Sequence, residues 1–260
     1  MPSYAGDNDC VELEIDDGVG ELRLTNSEKR NAFSIGMAAD LFELPKNYLV
    51  ENDAIRALAI TAEGPVFSAG ADVNLVQGND PEEMNRVHDF RRPVFDWVRN
   101  GPVPTIAGAQ GAVVGLGGSF FAAADIRLAA SDVQYWLPEV EYDIAPAELA
   151  VYLAERVGTG NALELVLMGK PGTADADRLV DMGLVNRIVE PEDLRTETRE
   201  MAQTIADNTA DNDVGPEMLD AMKDVRREAI SASLAGAAET QEQARHGDQV
   251  MTQGLSLYED

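Results

Sequence analysis

Cysteine, histidine and lysine are scarce in this chain, and each scarcity closes off a class of chemistry. Cys10 is the single cysteine, so no internal disulfide can form and a reducing, cytoplasmic setting is expected. The two histidines add too little for a zinc centre, and no metal is expected. No apolar run approaches the roughly 18–20 residues that cross a bilayer. Met1 to Asp7 lacks the basic start and apolar stretch of a signal peptide, so no membrane partner is expected. Lys29, Lys46, Lys170 and Lys223 are the only lysines. With 20 basic side chains against 47 acidic ones, a nucleic-acid partner is disfavoured, because phosphate recognition needs basic patches.

The formal net charge of −27 is spread along a chain that is 45% hydrophobic, rather than gathered in a polar tail. A dispersed acidic, lysine-poor surface resembles that of proteins from salt-accumulating halophiles, where concentrated salt screens self-repulsion. At 260 residues the chain is long enough for one large core with an appendage.

Alternating apolar residues in Cys10–Ile15 and Val19–Leu24, with Asp16-Asp17-Gly18 between, predict a β-hairpin. Ile35 to Val50 has helical spacing with a break or kink at Pro45. Ile55–Ile60, Pro104–Gly108, Asp125–Ala129 and Leu184–Val189 read as short buried strands. Between them, Pro81–Asn100 reads as a helix that kinks or stops near Pro93, and Phe120–Ala124 as a small apolar one. Helices follow over Ala147–Val157, Asn161–Met168 and Thr173–Met182, and a helical tail carries amphipathic spacing over 216–230 and 234–250. Strands alternating with helices make this an α/β chain.

Two glycine-rich turns each lead from a strand toward a helix: Ser68-Ala69-Gly70-Ala71-Asp72 and Gly115-Leu116-Gly117-Gly118. Small residues let the backbone approach a ligand closely, and a helix start offers unpaired amides. Asp72 could equally be a plain helix cap. The second turn is not a dinucleotide fingerprint, because Phe120 holds the third glycine's place. Nor is Ser119 a nucleophile elbow, since Phe121 stands where its second glycine belongs. An amide from each turn could instead converge on one oxygen and stabilise charge developing on a carbonyl.

Three blocks, Phe67–Asp72, Gly111–Gly117 leading to Ala124-Asp125, and Leu137-Pro138-Glu139-Val140, resemble the crotonase superfamily, the enoyl-CoA hydratase/isomerase family. Arg30-Asn31-Ala32 and the run from Gly158 to Glu190 also fit. The resemblance implies a spiral of ββα units over residues 1–195 and a C-terminal helical oligomerisation region over 196–260. It also implies a homotrimer or a dimer of trimers. The amides of Ala71 and Leu116 would form an oxyanion hole for a thioester carbonyl, and Glu139 would be the catalytic carboxylate. Lys29, Arg30, Ala32, Ser68, Ala69, Gly70, Asp72 and Gly115 would lie along coenzyme A, which is part of the substrate; no cofactor is implied.

Hydratases of that family carry a second glutamate twenty positions before the first, and Ser119 stands there. A hydroxyl is a poor base at neutral pH, whereas an isomerase works with one carboxylate. The resemblance thus favours moving the double bond of a 3-enoyl-CoA to the 2-position. A 2-enoyl-CoA hydratase with Ser119 in place of one glutamate is the alternative. A non-catalytic or hydrolase-type member stays open too. Asp143 is either a second acid in the pocket or the cap of the following helix. Tyr135, Trp97 and Trp136 read as core or pocket lining, and His88 and His246 as surface residues.

Overall fold

The computed structural model describes residues 2–49, 52–72, 74, 81–142, 144, 146–210 and 215–227. Its strands are β1 (Ser3–Ala5), β2 (Val11–Asp16), β3 (Val19–Leu24), β4 (Ala57–Ala62), β5 (Thr105–Ala109), β6 (Ala112–Val114), β7 (Ile126–Ala130), β8 (Gln134–Trp136), β9 (Ala174–Asp175) and β10 (Arg187–Val189). Seven of them form one sheet in the order β1-β2-β3-β4-β5-β7-β10, and β6-β8-β9 form a second. The first three strands pair antiparallel, and from β3 onward the large sheet is parallel.

The hairpin closes through Asp17 and Gly18, with φ of 43° and 81°. This is the pair of left-handed residues that a two-residue turn matched to strand twist requires. Val11, Leu13, Leu22 and Leu24 of its strands are buried. β4 and β5 are apolar on both faces because both faces are covered. On one side Leu194, Ala202 and Ala206 of a helix over Leu194–Asn208 pack on Ala57, Ala59, Ile106 and Leu128. On the other lies the main core, where Phe33, Phe67, Phe95, Phe120 and Phe121 meet.

The helices are α1 (Ile35–Tyr48), α2 (Pro81–Asn100), α3 (Gly115–Ala123), α4 (Ala147–Met168), α5 (Ala176–Asp181), α6 (Leu194–Asn208) and α7, over 215–227. Ser34 caps α1, its Oγ accepting from the Met37 amide at 3.2 Å. Neither proline stops its helix. Pro45 lies in the last turn of α1, where its own carbonyl still accepts from the Leu49 amide at 2.8 Å, and α2 continues past Pro93 to Asn100. A lost amide is tolerable where tertiary packing holds the flanking turns, as the Phe42 and Phe90 rings do, 5.8 Å apart between α1 and α2. The two helices expected over 147–168 adjoin as α4, interrupted at Gly158 (φ 75°, ψ 157°). The segment 234–250 lies outside the described residues.

A buried ion-pair cluster fastens α6 to the sheet. Glu21 on β3, 1% exposed, accepts from Arg195 Nε at 2.8 Å and Nη2 at 2.9 Å, from Thr61 Oγ1 at 2.6 Å, and from Arg199. Burial alone would raise its pKa, but the hydrogen bonds from Arg195 and Thr61 together with the charges of Arg195 and Arg199 more than reverse that and hold it below the ordinary value. Among the described residues no helix is long and apolar enough to cross a membrane.

Candidate active site

The small sheet brings the two glycine turns together. Ser68 and Val113 form a parallel bridge, with the Ser68 amide donating to Ala112 O at 3.2 Å and the Val114 amide to Ser68 O at 3.0 Å. Ser68 Oγ donates to Asn31 O at 2.7 Å and accepts from the Gly70 amide at 3.2 Å, so this buried hydroxyl shapes the turn. The loop at Arg30-Asn31, both residues left-handed with φ of 54° and 49°, frames it from the other side. There the Ala69 amide donates to Arg30 O at 2.9 Å and the Phe33 amide to Gly70 O at 2.8 Å. Gly70 has φ of 88°, and a Cβ on it would lie 2.8 Å from Val114 O and 3.7 Å from the Leu116 nitrogen. No side chain larger than hydrogen fits between the turns there.

Ala71 bridges Phe33, but the bonds of that bridge run from Phe33 to Gly70 and from Asp72 to Phe33. No described residue accepts from the Ala71 amide. Leu116 is the second residue of α3, whose leading amides have no carbonyl of their own helix to reach, and the cap residue Val114 supplies no side-chain acceptor. The two amides expected to form an anion-stabilising pair thus stand on adjoining turns, free to donate.

Glu139 reaches the same place from the second sheet. β8 lies parallel to β6 with Trp136 opposite Val114, and the chain then enters a short 3₁₀ helix, Glu139–Tyr142. Gly115 has φ of 48°, and a Cβ there would lie 3.0 Å from Glu139 Oε1. The carboxylate therefore rests on the first residue of α3. Its Oε2 is buried and has no hydrogen-bond partner among the described residues. Burial pushes the Glu139 pKa above the ordinary carboxylate value, and a bond from its own main-chain amide pulls back only in part. A carboxylate with a raised pKa and no cation beside it among the described residues is equipped to take and return a proton.

Ser119, in the second turn of α3, is 8% exposed and donates through Oγ to Gly115 O at 3.2 Å. Its hydroxyl is engaged by the helix it sits in. Asp72 accepts from the Asn74 amide at 2.9 Å, as a helix cap would. Lys29 and Arg30 are exposed, Ala32 is half-buried, and neither base makes an ion pair with a described residue. Asp143 and His246 lie outside the described residues. Tyr135 is part of the core, but its hydroxyl is buried without a partner among the described residues, a feature that the sequence does not disclose. An open hollow of about 650 Å³ beside the 3₁₀ helix is lined by Val140, Glu141, Leu167, Met168, Lys170 and Pro171, none of them from the two turns. Among the described residues no group of three His, Cys, Asp or Glu side chains could hold a metal ion.

Known proteins resemble this chain in sequence and in fold. The sequence profile described as enoyl-CoA hydratase/isomerase matches residues 14–259. Human mitochondrial enoyl-CoA hydratase domain-containing protein 3 is 33% identical over 199 residues, which cover 73% of this chain and 62% of that protein. The chain thus spans less than two thirds of that relative's length. The trans-2-decenoyl-(acyl-carrier-protein) isomerase of Streptococcus mutans is 26% identical over 185 residues, 69% of each chain. In fold, the crystal structure of an enoyl-CoA hydratase/isomerase from Pseudoalteromonas atlantica superposes with a TM-score of 0.77 at 22% identity, covering 90% of this chain and 91% of that one. With the profile spanning nearly the whole sequence and the fold matched to the same depth, this chain belongs to the enoyl-CoA hydratase/isomerase family of the crotonase superfamily.

Proposed function

We propose that this protein moves the double bond of a 3-enoyl-CoA to the 2-position, with Glu139 as the proton carrier. The observation that carries this reading is the pairing of one free carboxylate with two free amides. Glu139 Oε1 rests on Gly115 while the Ser119 hydroxyl, at the place of a second acid, is bonded to Gly115 O. Glu139 removes the proton from C2, and the dienolate oxygen accepts from the Ala71 and Leu116 amides. The same carboxyl then returns the proton at C4, leaving the double bond between C2 and C3. Each amide is worth about 10²–10³ in rate. Coenzyme A lies along Ser68, Ala69, Gly70, Asp72 and Gly115 through backbone groups, near Ala32, with Lys29 and Arg30 facing its phosphates. The Streptococcus mutans relative is also named as an isomerase, of trans-2-decenoyl-(acyl-carrier-protein). Assembly as a trimer or dimer of trimers, and work in concentrated potassium salt, belong to the same reading.

The test is a paired assay in concentrated KCl with 3-enoyl-CoA and 2-enoyl-CoA. Isomerisation of the first with little hydration of the second is expected. Fast hydration without isomerisation would sink the proposal in favour of a hydratase that manages with one glutamate.

A further inference from the structure

The Tyr135 side chain is fully buried, and its hydroxyl has no hydrogen-bond partner among the described residues. An unmatched buried hydroxyl is unfavourable and uncommon, and it calls for a reason. Its surroundings supply one. Gly118 leaves the room it occupies, since a Cβ there would lie 3.1 Å from Tyr135 Oη. One helical turn back, a Cβ on Gly115 would lie 3.0 Å from Glu139 Oε1. Positions three apart on a helix present neighbouring points of one face, about 5–6 Å apart. The phenol and the carboxylate therefore sit over the same turn of α3, and each has one buried polar atom unmatched: Tyr135 Oη and Glu139 Oε2.

We propose that Tyr135 is a positioning residue for Glu139: its hydroxyl donates to Oε2 through one water and turns Oε1 toward the substrate. Donor and acceptor match, because a phenol gives one proton and an ionised carboxylate only accepts. Ser119 cannot serve in its place while bonded to Gly115 O. Among the described residues the charged groups that act on Tyr135 are Glu139 and Arg127 on β7. Burial lowers Arg127 to about 9, so it stays charged through the acidic range, and burial with the Glu139 charge raises Tyr135, which stays a donor throughout. The inference rests on Glu139 being the base of the proposed reaction.

The test is the pH profile of kcat/KM for Tyr135→Phe, beside Glu139→Gln. Phenylalanine keeps the ring and removes only the hydroxyl, so the fold should be retained while the Glu139 carboxylate loses its donor. A hydrogen bond to a charged group favours that charge by about one pH unit. Without it, the acid limb should move up by about one unit and the plateau should fall. Site-specific 3-fluorotyrosine at position 135, a stronger donor, should move the limb down, and it decides the matter if the phenylalanine variant does not fold. A Tyr135→Phe profile identical to wild type, or an unmoved limb with 3-fluorotyrosine, overturns the proposal. Full activity of Glu139→Gln would instead overturn the reading of the base, and the two failures are told apart.

Discussion

Glu21 and Glu139 are both glutamates drawn out of water, one on β3 and the other just after β8. Glu21 is met by two guanidinium groups and a hydroxyl, and its pKa is held down. Glu139 rests on a glycine, with no cation among the described residues contributing to its shift, and its pKa is pushed up. The difference separates a carboxylate that fastens a helix from one that can exchange a proton. Each has a stability consequence of opposite sign. Glu21, with a lowered folded pKa, contributes stability that is present above its unfolded value of about 4.3 and is lost as pH falls through the folded value. Glu139, with a raised folded pKa, disfavours the folded state once pH climbs above the same unfolded value, and does not when both states are protonated.

Removing the carboxylate proposed as the proton carrier is the largest break. Glu139→Gln is expected to lower kcat/KM by about 10²–10⁴, the range of a lost general base. The same variant should raise the midpoint of thermal unfolding near neutral pH, because the unfavourable buried charge goes with it. Wild-type activity should fall as pH drops through the raised Glu139 pKa, above the usual carboxylate range. A stability loss alongside the activity loss would show that Glu139 is structural in the manner of Glu21.

The reverse experiment makes Glu21 resemble Glu139. Replacing Arg195 and Arg199 together by Met leaves a buried carboxylate without a cation, and breaking such a cluster costs about 3–5 kcal/mol. Urea unfolding at fixed KCl measures it, and the variant's stability should then improve on mild acidification instead of declining. Catalysis by the fraction still folded should be unchanged, since both arginines belong to α6.

Gly115→Ala acts at the contact itself. The left-handed backbone costs a non-glycine residue about 1–2 kcal/mol, and the new methyl would press on Glu139 Oε1 at 3.0 Å. Displacing a reacting group by about 1 Å costs on the order of 10² in rate. Turnover should therefore fall further than stability does, which a parallel kcat and urea series would show.

The roles of the two glutamates were unequally legible in the sequence. Leu137-Pro138-Glu139 stands in a resembling block, and the glycine turns beside it need small residues for reasons that composition exposes. Glu21 sits in an alternating strand like any outward-facing acid. Its arginine partners come from residues 195 and 199, more than 170 positions away, a pairing that no local pattern marks. The strands that carry the site were hidden for another reason. β6, β8 and β9 are two or three residues long, too short for alternation to register, and β6 runs directly into α3. Periodicity also placed the first residues of α3 in a turn, because glycine lowers helical propensity, yet those glycines admit Ser68, Tyr135 and Glu139 against the helix. Proline does not end α1 or α2, where packing outweighs one lost amide.

The smallest expected effect sharpens the comparison most, because it concerns an acid that is missing. Ser119 occupies the position where a second carboxylate would make Glu139 one of a pair, and its Oγ is bonded to Gly115 O at 3.2 Å. If that bond persists with substrate bound, Ser119→Ala removes one neutral hydrogen bond and changes stability by about 1 kcal/mol or less. Turnover should then stay within about fivefold of wild type. A loss of about 10² or more in 2-enoyl-CoA hydration would mean the hydroxyl leaves the helix to hold water. Glu139 would then no longer act alone, and the isomerase reading would yield to the hydratase one. With substrate assays on this variant run beside Glu139→Gln, the number of groups that move the proton becomes a measured quantity.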